Sequence, residues 1–147
     1  MDSLDISILK ILNQDARTSF SEIARRLGHS ITTISLRVKA MEDEGIIKKY
    51  IPVLDSEKCG YDFTAIIHLI ISKGKLKEVE DNIKGESNVT AVYDVTGSHD
   101  AIVIGRFRNP LHLEKFTKWL QSLDFVESVS TSIVLNIVKE DMEVKFD

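Results

Sequence analysis

A single cysteine, Cys59, stands in a chain of 147 residues, so neither an internal disulfide nor a cysteine-ligated metal cluster is available. The longest apolar run, Ala65 to Ile71, is interrupted by His68 and is far too short to cross a bilayer. The first five residues, Met-Asp-Ser-Leu-Asp, carry none of the basic residues that open a secretory signal. No G-x-S-x-G elbow, P-loop or dinucleotide-type glycine motif occurs. His29, His68, His99 and His112 fall on different segments, and no two have the spacing of a metal site on one helix. These absences predict a soluble, cytoplasmic protein without metal, cofactor or catalytic machinery. Its histidines read as ordinary core or surface residues, with His99 the one exception.

Strong charge of one sign is also missing. The net charge is −4, which argues against indiscriminate coating of nucleic acid. Its distribution is uneven, however. Residues 1–50 hold 8 Lys/Arg against 7 Asp/Glu, whereas residues 51–147 hold 11 against 16. A local basic patch suffices for phosphate contacts, and Arg25, Arg26, Arg37, Lys39, Lys48 and Lys49 bracket one stretch, Ser30 to Gly45.

That stretch carries the sharpest signal. Ile34, Val38 and Met41 form an apolar stripe at helical spacing, Ser30 is a natural N-cap and Gly45 a natural residue just past the end. The other face holds Thr32, Thr33, Ser35, Leu36, Lys39 and Ala40. A merely solvated face is usually built of Glu, Lys and Gln. Short hydroxyls and an exposed leucine instead suit base edges and thymine methyls in a major groove. Arg37, at the flank, reads equally as a phosphate anchor or as a structural partner of Glu42 or another nearby acid.

The preceding residues supply the context. Leu4, Ile8, Ile11 and Leu12 predict a first helix capped by Asp2 or Ser3. Phe20, Ile23, Ala24 and Leu27 predict a second, opened by Ser19 and Glu22 in capping-box spacing and ended by Gly28. Two helices joined by a short glycine-containing turn make a helix-turn-helix, whose second helix enters the groove. Ile46 to Leu54 predicts a short wing or strand, held to an edge by Pro52.

The remainder alternates strand and helix. Strands are predicted at Thr64 to Ser72, Val89 to Thr96, Asp100 to Phe107 and Val129 to Val138. Helices are predicted around Leu76, Val79 and Ile83, and from Asn109-Pro110 through Leu113, Phe116, Leu120 and Leu123. The order βαββαβ predicts an α+β chain whose second domain is a ferredoxin-like antiparallel sheet with both helices on one face. The expected domains are 1–50, a linker at 51–61, and 62–147. The first strand is apolar on both sides, through Ile66, Ile67, Leu69, Ile70 and Ile71, and helices can cover only one. A second copy of the same face is the expected cover, giving a two-fold dimer.

With these elements in order, the chain resembles the Lrp/AsnC family of transcription regulators over nearly its whole length. The resemblance rests on Leu4-Asp5, Ile8-Leu9, Leu12, Asp15-Ala-Arg17, Ile23-Ala24, Leu27-Gly28 and Ser30. It continues through Thr33-Ile34, Arg37-Val38, Met41-Glu42, Gly45-Ile-Ile47 and Val95-Thr-Gly97 with Asp100. It implies a winged helix-turn-helix domain followed by a RAM/ACT-like βαββαβ domain, in a regulator that binds double-stranded DNA at a pseudo-palindromic operator. It also implies a homodimer, or a tetramer or octamer of such dimers, that responds to an amino acid or related small molecule. The implied effector loop is Gly97, Ser98, His99 and Asp100. Here the chain departs from the pattern: Ser98 stands where the family commonly has an acid, and His99 where an aromatic is common. Some tetrapyrrole decarboxylases acting on sirohaem-type substrates resemble the same two-part architecture, and in such an enzyme His68 or His99 would serve beside the sheet.

Overall fold

The computed structural model describes residues 1–147 as two compact units, Met1–Val53 with Lys139–Asp147, and Leu54–Val138.

In the first unit α1 (Ser3–Gln14), α2 (Phe20–Leu27) and α3 (Ile31–Asp43) follow the predicted stripes. Ile8, Leu9, Leu12, Ile23, Ala24, Ile34, Val38 and Met41 close on one another as a buried core. Each helix begins on a side-chain cap. The Asp2 carboxylate accepts from the Leu4 and Asp5 amides at 3.0 Å, and Asp5 accepts from the Asp2 amide at 2.8 Å, so both halves of a capping box form. The box expected at Ser19 forms only by half. Ser19 Oγ accepts from the Glu22 amide at 3.2 Å, but the Glu22 carboxylate turns to Arg25 and Arg26 instead. Two guanidinium partners outcompete one neutral backbone amide.

The predicted wing is absent: residues 46–55 contain no strand. A strand needs a hydrogen-bonding neighbour, and this segment finds none within the chain, with Pro52 removing one donor. Residues 139–147, expected in the second domain, belong with the first unit. Phe146 packs against the helical core, Asn13 Nδ2 donates to the Val144 carbonyl at 3.0 Å, and Lys10 Nζ donates to that of Asp147 at 3.1 Å. An aromatic ring that can cover apolar helix surface decides the tail's place.

The second unit contains β1 (Phe63–Ile71), α4 (Leu76–Ile83), β2 (Val89–Asp94), β3 (Ala101–Phe107), α5 (Pro110–Ser122) and β4 (Val126–Ile133). The strands pair antiparallel in the order β2-β3-β1-β4, as a ferredoxin-like sheet requires. The last strand lies earlier than the predicted Val129 to Val138. Its ladder with β1 runs from Ile71 opposite Val126 to Ala65 opposite Ile133, and β1 begins at Phe63, so the ladder runs out of partner. Pattern marks where a strand is possible; the neighbour's length sets where it stops.

One sheet face meets both helices. Ala65, Ile67, Leu69, Ala101, Val103 and Phe107 pack there against Val79 and Ile83 of α4 and Leu113, Phe116 and Leu120 of α5. At Gly105 a Cβ would lie 2.9 Å from the Phe107 ring and 3.1 Å from the Asn88 carbonyl, so only glycine fits beneath that ring. The alternate residues, Ile66, His68 and Ile70 of β1 with Ile102 and Ile104 of β3, are half-buried and turned away from the helices. Cross-strand pairing adds Ala91 and Tyr93 on one side and Ser128, Ser130 and Ser132 on the other. The sheet therefore has an open face with an isoleucine centre, as its two-sided apolar strand predicts.

Candidate DNA interface and effector loop

The presentation of α3 is local chemistry. Gly28 adopts φ +69°, the left-handed turn that ends α2, and its successor His29 leads into the Ser30 cap. Ser30 Oγ accepts from the Thr33 amide at 3.0 Å and lies 2.8 Å from Thr33 Oγ1, so the Thr33 hydroxyl is drawn into the cap and half-buried. Thr32, Leu36 and Lys39 are exposed and share the face opposite Ile34, Val38 and Met41; Leu36 is 65% exposed. Ser35 is half-buried at the margin of that face and Ala40 is exposed on its other side. A large aliphatic side chain left in water at the centre of an otherwise short-side-chain surface gains nothing from solvent.

The cations divide into two sets. Glu22 holds Arg25 by two hydrogen bonds of 2.7 and 2.9 Å and Arg26 by one of 2.7 Å, so one carboxylate gathers both guanidinium groups. Those two partners hold the Glu22 carboxyl down at about 2, hydrogen bonding being the leading cause. Arg37 is bound to Asp2 at 2.8 Å and to Asp5 at 3.4 Å, not to Glu42, which accepts instead from the Tyr50 hydroxyl at 2.8 Å. Asp5 is only 6% exposed, so Arg37 ties α3 to the capped start of α1 by neutralising a buried acid. Lys39, Lys48 and Lys49 are exposed and engage in no ion pair.

The loop between β2 and β3 turns at Gly97, whose φ of +118° suits glycine alone. Ser98 Oγ lies 3.1 Å from His99 Nδ1. Asp100 extends the β1–β3 pairing: its amide donates to the Leu69 carbonyl at 2.9 Å, and its carboxylate accepts from the Ile71 amide at 2.8 Å. Gly97 and Ser98 thus form the exposed tip, His99 is half-buried beside them, and Asp100 anchors the loop.

Three features escaped the sequence reading. The Glu22 clamp was visible in its i, i+3 and i, i+4 spacing. The packing of the His68 and His99 rings at 4.9 Å was not, because 31 positions separate them. Glu80 of α4 leans on Asp94 at the end of β2, with burial and then that second carboxylate pushing its carboxyl up to about 7. No signal marked that pair.

Residues 64–144 match the family description "Lrp/AsnC ligand binding domain", and residues 1–48 match "Winged helix-turn-helix DNA-binding". The chain belongs to the Lrp/AsnC family. A Pyrococcus horikoshii protein named as an HTH-type transcriptional regulator is 45% identical to it, over 99% of this chain and 98% of that one. The HTH-type transcriptional regulator FL11 of the same organism is 33% identical over 98% of this chain and 95% of its own. Among solved structures, that of Escherichia coli AsnC superposes with a TM-score of 0.89 at 28% identity, covering 95% of each chain. A Neisseria meningitidis transcriptional regulator, solved as an L-Met complex, superposes at 0.90 with 25% identity, covering 99% of this chain and 96% of that one. This Lrp/AsnC protein is therefore a transcriptional regulator with a helix-turn-helix DNA-binding part and a ligand-binding part. No helix in it is long and apolar enough to cross a membrane.

Proposed function

We propose that the protein reads a pseudo-palindromic operator with α3 from each of two copies. Thr32, Leu36 and Lys39 face the bases, with Ser30, Thr33 and Ser35 beside them, while Lys48 and Lys49 hold phosphates. Arg37 is scaffold, and Arg25 and Arg26 reach DNA only to the extent that Glu22 releases them. The observation that carries this reading is the exposed, short-side-chain face of α3 with an aliphatic centre and an unpaired lysine. The open sheet face with Ile66, Ile70, Ile102 and Ile104 supports a homodimer, and the loop tip at Gly97, Ser98 and His99 supports an effector site that takes an amino acid or related molecule. The protein acts in the cytoplasm as a regulator and not as an enzyme; the relatives' names lend nothing to a tetrapyrrole decarboxylase.

Selection of bound duplexes from a random pool, followed by binding of alanine variants, tests the reading. Each of Thr32→Ala and Lys39→Ala should cost ~1–3 kcal/mol and relax preference at one base. Lys48→Ala and Lys49→Ala should weaken all duplexes alike and shallow the salt dependence by about one unit each. Half-sites should lie about 34–36 Å apart, or at a multiple. A variant lacking Thr32, Leu36 and Lys39 that kept the wild-type preference would overturn the assignment of α3. Light scattering that showed a monomer at micromolar concentration would overturn the dimer.

A further inference from the structure

The second unit, Leu54–Val138, holds 9 Lys/Arg against 12 Asp/Glu, so acids outnumber the cations that could take one as a partner. Lys58, Lys75, Lys84 and Lys118 each do so. Arg108 and Lys115 meet no carboxylate, although Glu114 adjoins Lys115 in sequence; Glu114 turns to Lys118 instead. These two exposed cations line one open cavity of about 350 Å³, where β3 passes into α5. Asn109, Leu111 and His112 complete its wall, and no acid lines it.

The donors on that wall are set in place by groups that do not neutralise them. The Arg108 guanidinium lies over the Tyr61 ring, 5.3 Å from its centroid, with Nη2 3.5 Å from the Tyr61 hydroxyl. An aromatic face orders a guanidinium while leaving most of its five N–H donors for a ligand. His112 Nδ1 accepts from the Arg108 amide at 3.3 Å, so the ring is neutral and carries its proton on Nε2. Its own amide donates to Asn109 Oδ1 at 2.8 Å, and its ring stands edge-on to Phe107 with centroids 5.4 Å apart. Lys115 follows three residues later on the same side of α5. One cavity is thus met by a planar fork, an imidazole and an ammonium, from the end of a strand and two successive turns of a helix.

Three donor groups of this kind suit an anion with three terminal oxygens, a phosphate monoester, better than a planar carboxylate with two. A DNA backbone offers diesters, and the acid excess of this unit opposes the approach of a polyanion. We propose that Arg108, His112 and Lys115 form a binding site for the phosphate monoester of a small molecule. Leu111, 57% exposed on the same wall, gives the carbon skeleton of such a molecule an apolar contact. The site lies at the far end of β3 from the Gly97–Asp100 loop, roughly 20 Å away at the rise of an extended strand. It is therefore a second ligand site and does not depend on that loop being the effector site.

The test is calorimetric titration of the full-length protein with ribose 5-phosphate, with ribose and acetate as controls. Wild type should saturate at one ribose 5-phosphate per chain and give no binding heat with either control. Arg108→Gln and Lys115→Gln, both at exposed positions where the fold does not depend on them, should each weaken binding on the order of tenfold, the scale of one lost charge-assisted hydrogen bond. Tyr61→Leu keeps every charge and removes the ring beneath Arg108, so it should weaken binding severalfold. Lys118→Gln, outside the cavity, should bind like wild type. Absence of saturable binding in wild type, or binding that survives the double change Arg108→Gln and Lys115→Gln, would overturn the proposal. Operator binding measured across salt concentrations is the second arm: the double variant should keep the wild-type slope. A slope shallower by about one unit or more would assign these cations to DNA phosphates and overturn the small-molecule site.

Discussion

Arg37 separates a scaffold role from a DNA-binding one, and its removal has a calculable cost. Arg37→Met keeps an aliphatic stem of similar length and deletes the guanidinium that reaches Asp2 at 2.8 Å and Asp5 at 3.4 Å. Asp5 is 6% exposed and retains one other hydrogen bond, from the Asp2 amide at 2.8 Å. Fully stripping a buried ion of its partner costs about 3–5 kcal/mol. The surviving amide bond and the half-exposed position of Arg37 reduce that toward the ~1–3 kcal/mol of a polar group left short of one partner. Arg37→Met should therefore lower the stability of the helical unit by about 2 kcal/mol, which for a unit of this size is roughly 8–16 °C in Tm. Denaturant unfolding followed by circular dichroism measures it. Asp5→Asn should couple: the double variant should lose less than the two single losses together, because the uncompensated charge has gone. DNA binding by the folded variant should keep the wild-type salt slope. A variant that unfolds like wild type but loses about one unit of salt slope would refute the reasoning and make Arg37 a phosphate contact.

Other outcomes follow from the same geometry. Glu22→Gln removes the carboxylate that gathers Arg25 and Arg26, so affinity for every duplex should rise and its salt dependence should steepen by up to about two units in titrations across salt concentrations; unchanged slopes would show that neither arginine reaches phosphate. Glu80, pushed up to about 7 by burial and the neighbouring Asp94, binds its proton more tightly folded than unfolded. Its contribution to stability is fully present below the ordinary carboxylate pKa of 4.5 and is lost as pH rises through about 7; Glu80→Gln should flatten that part of a stability-versus-pH curve. Gly105→Ala would drive a methyl into the Phe107 ring, itself fully buried against Phe116. The loss should be about 1–3 kcal/mol by thermal unfolding, and an unchanged midpoint would mean the ring is free to move.

The chain's own pattern determined a good deal. Helical stripes such as Ile34, Val38 and Met41, and caps such as Ser30 and Asn109, are local signals in which the period and the polar atom lie within a few residues of each other. The order of elements then named the fold, and the outward residues of α3 were readable as whatever the stripe left over. Tertiary structure decided what depended on partners distant in sequence. The reach of β1 set the end of β4, the absence of a neighbour left 46–55 without a strand, and Phe146 drew the tail to the helical unit. Likewise Asp5 claimed Arg37 across 32 positions, and the fold alone laid His99 against His68. The physical reason is common to all of these: a hydrogen bond, an ion pair or a ring contact is a property of two groups, and a linear pattern records only the one at hand.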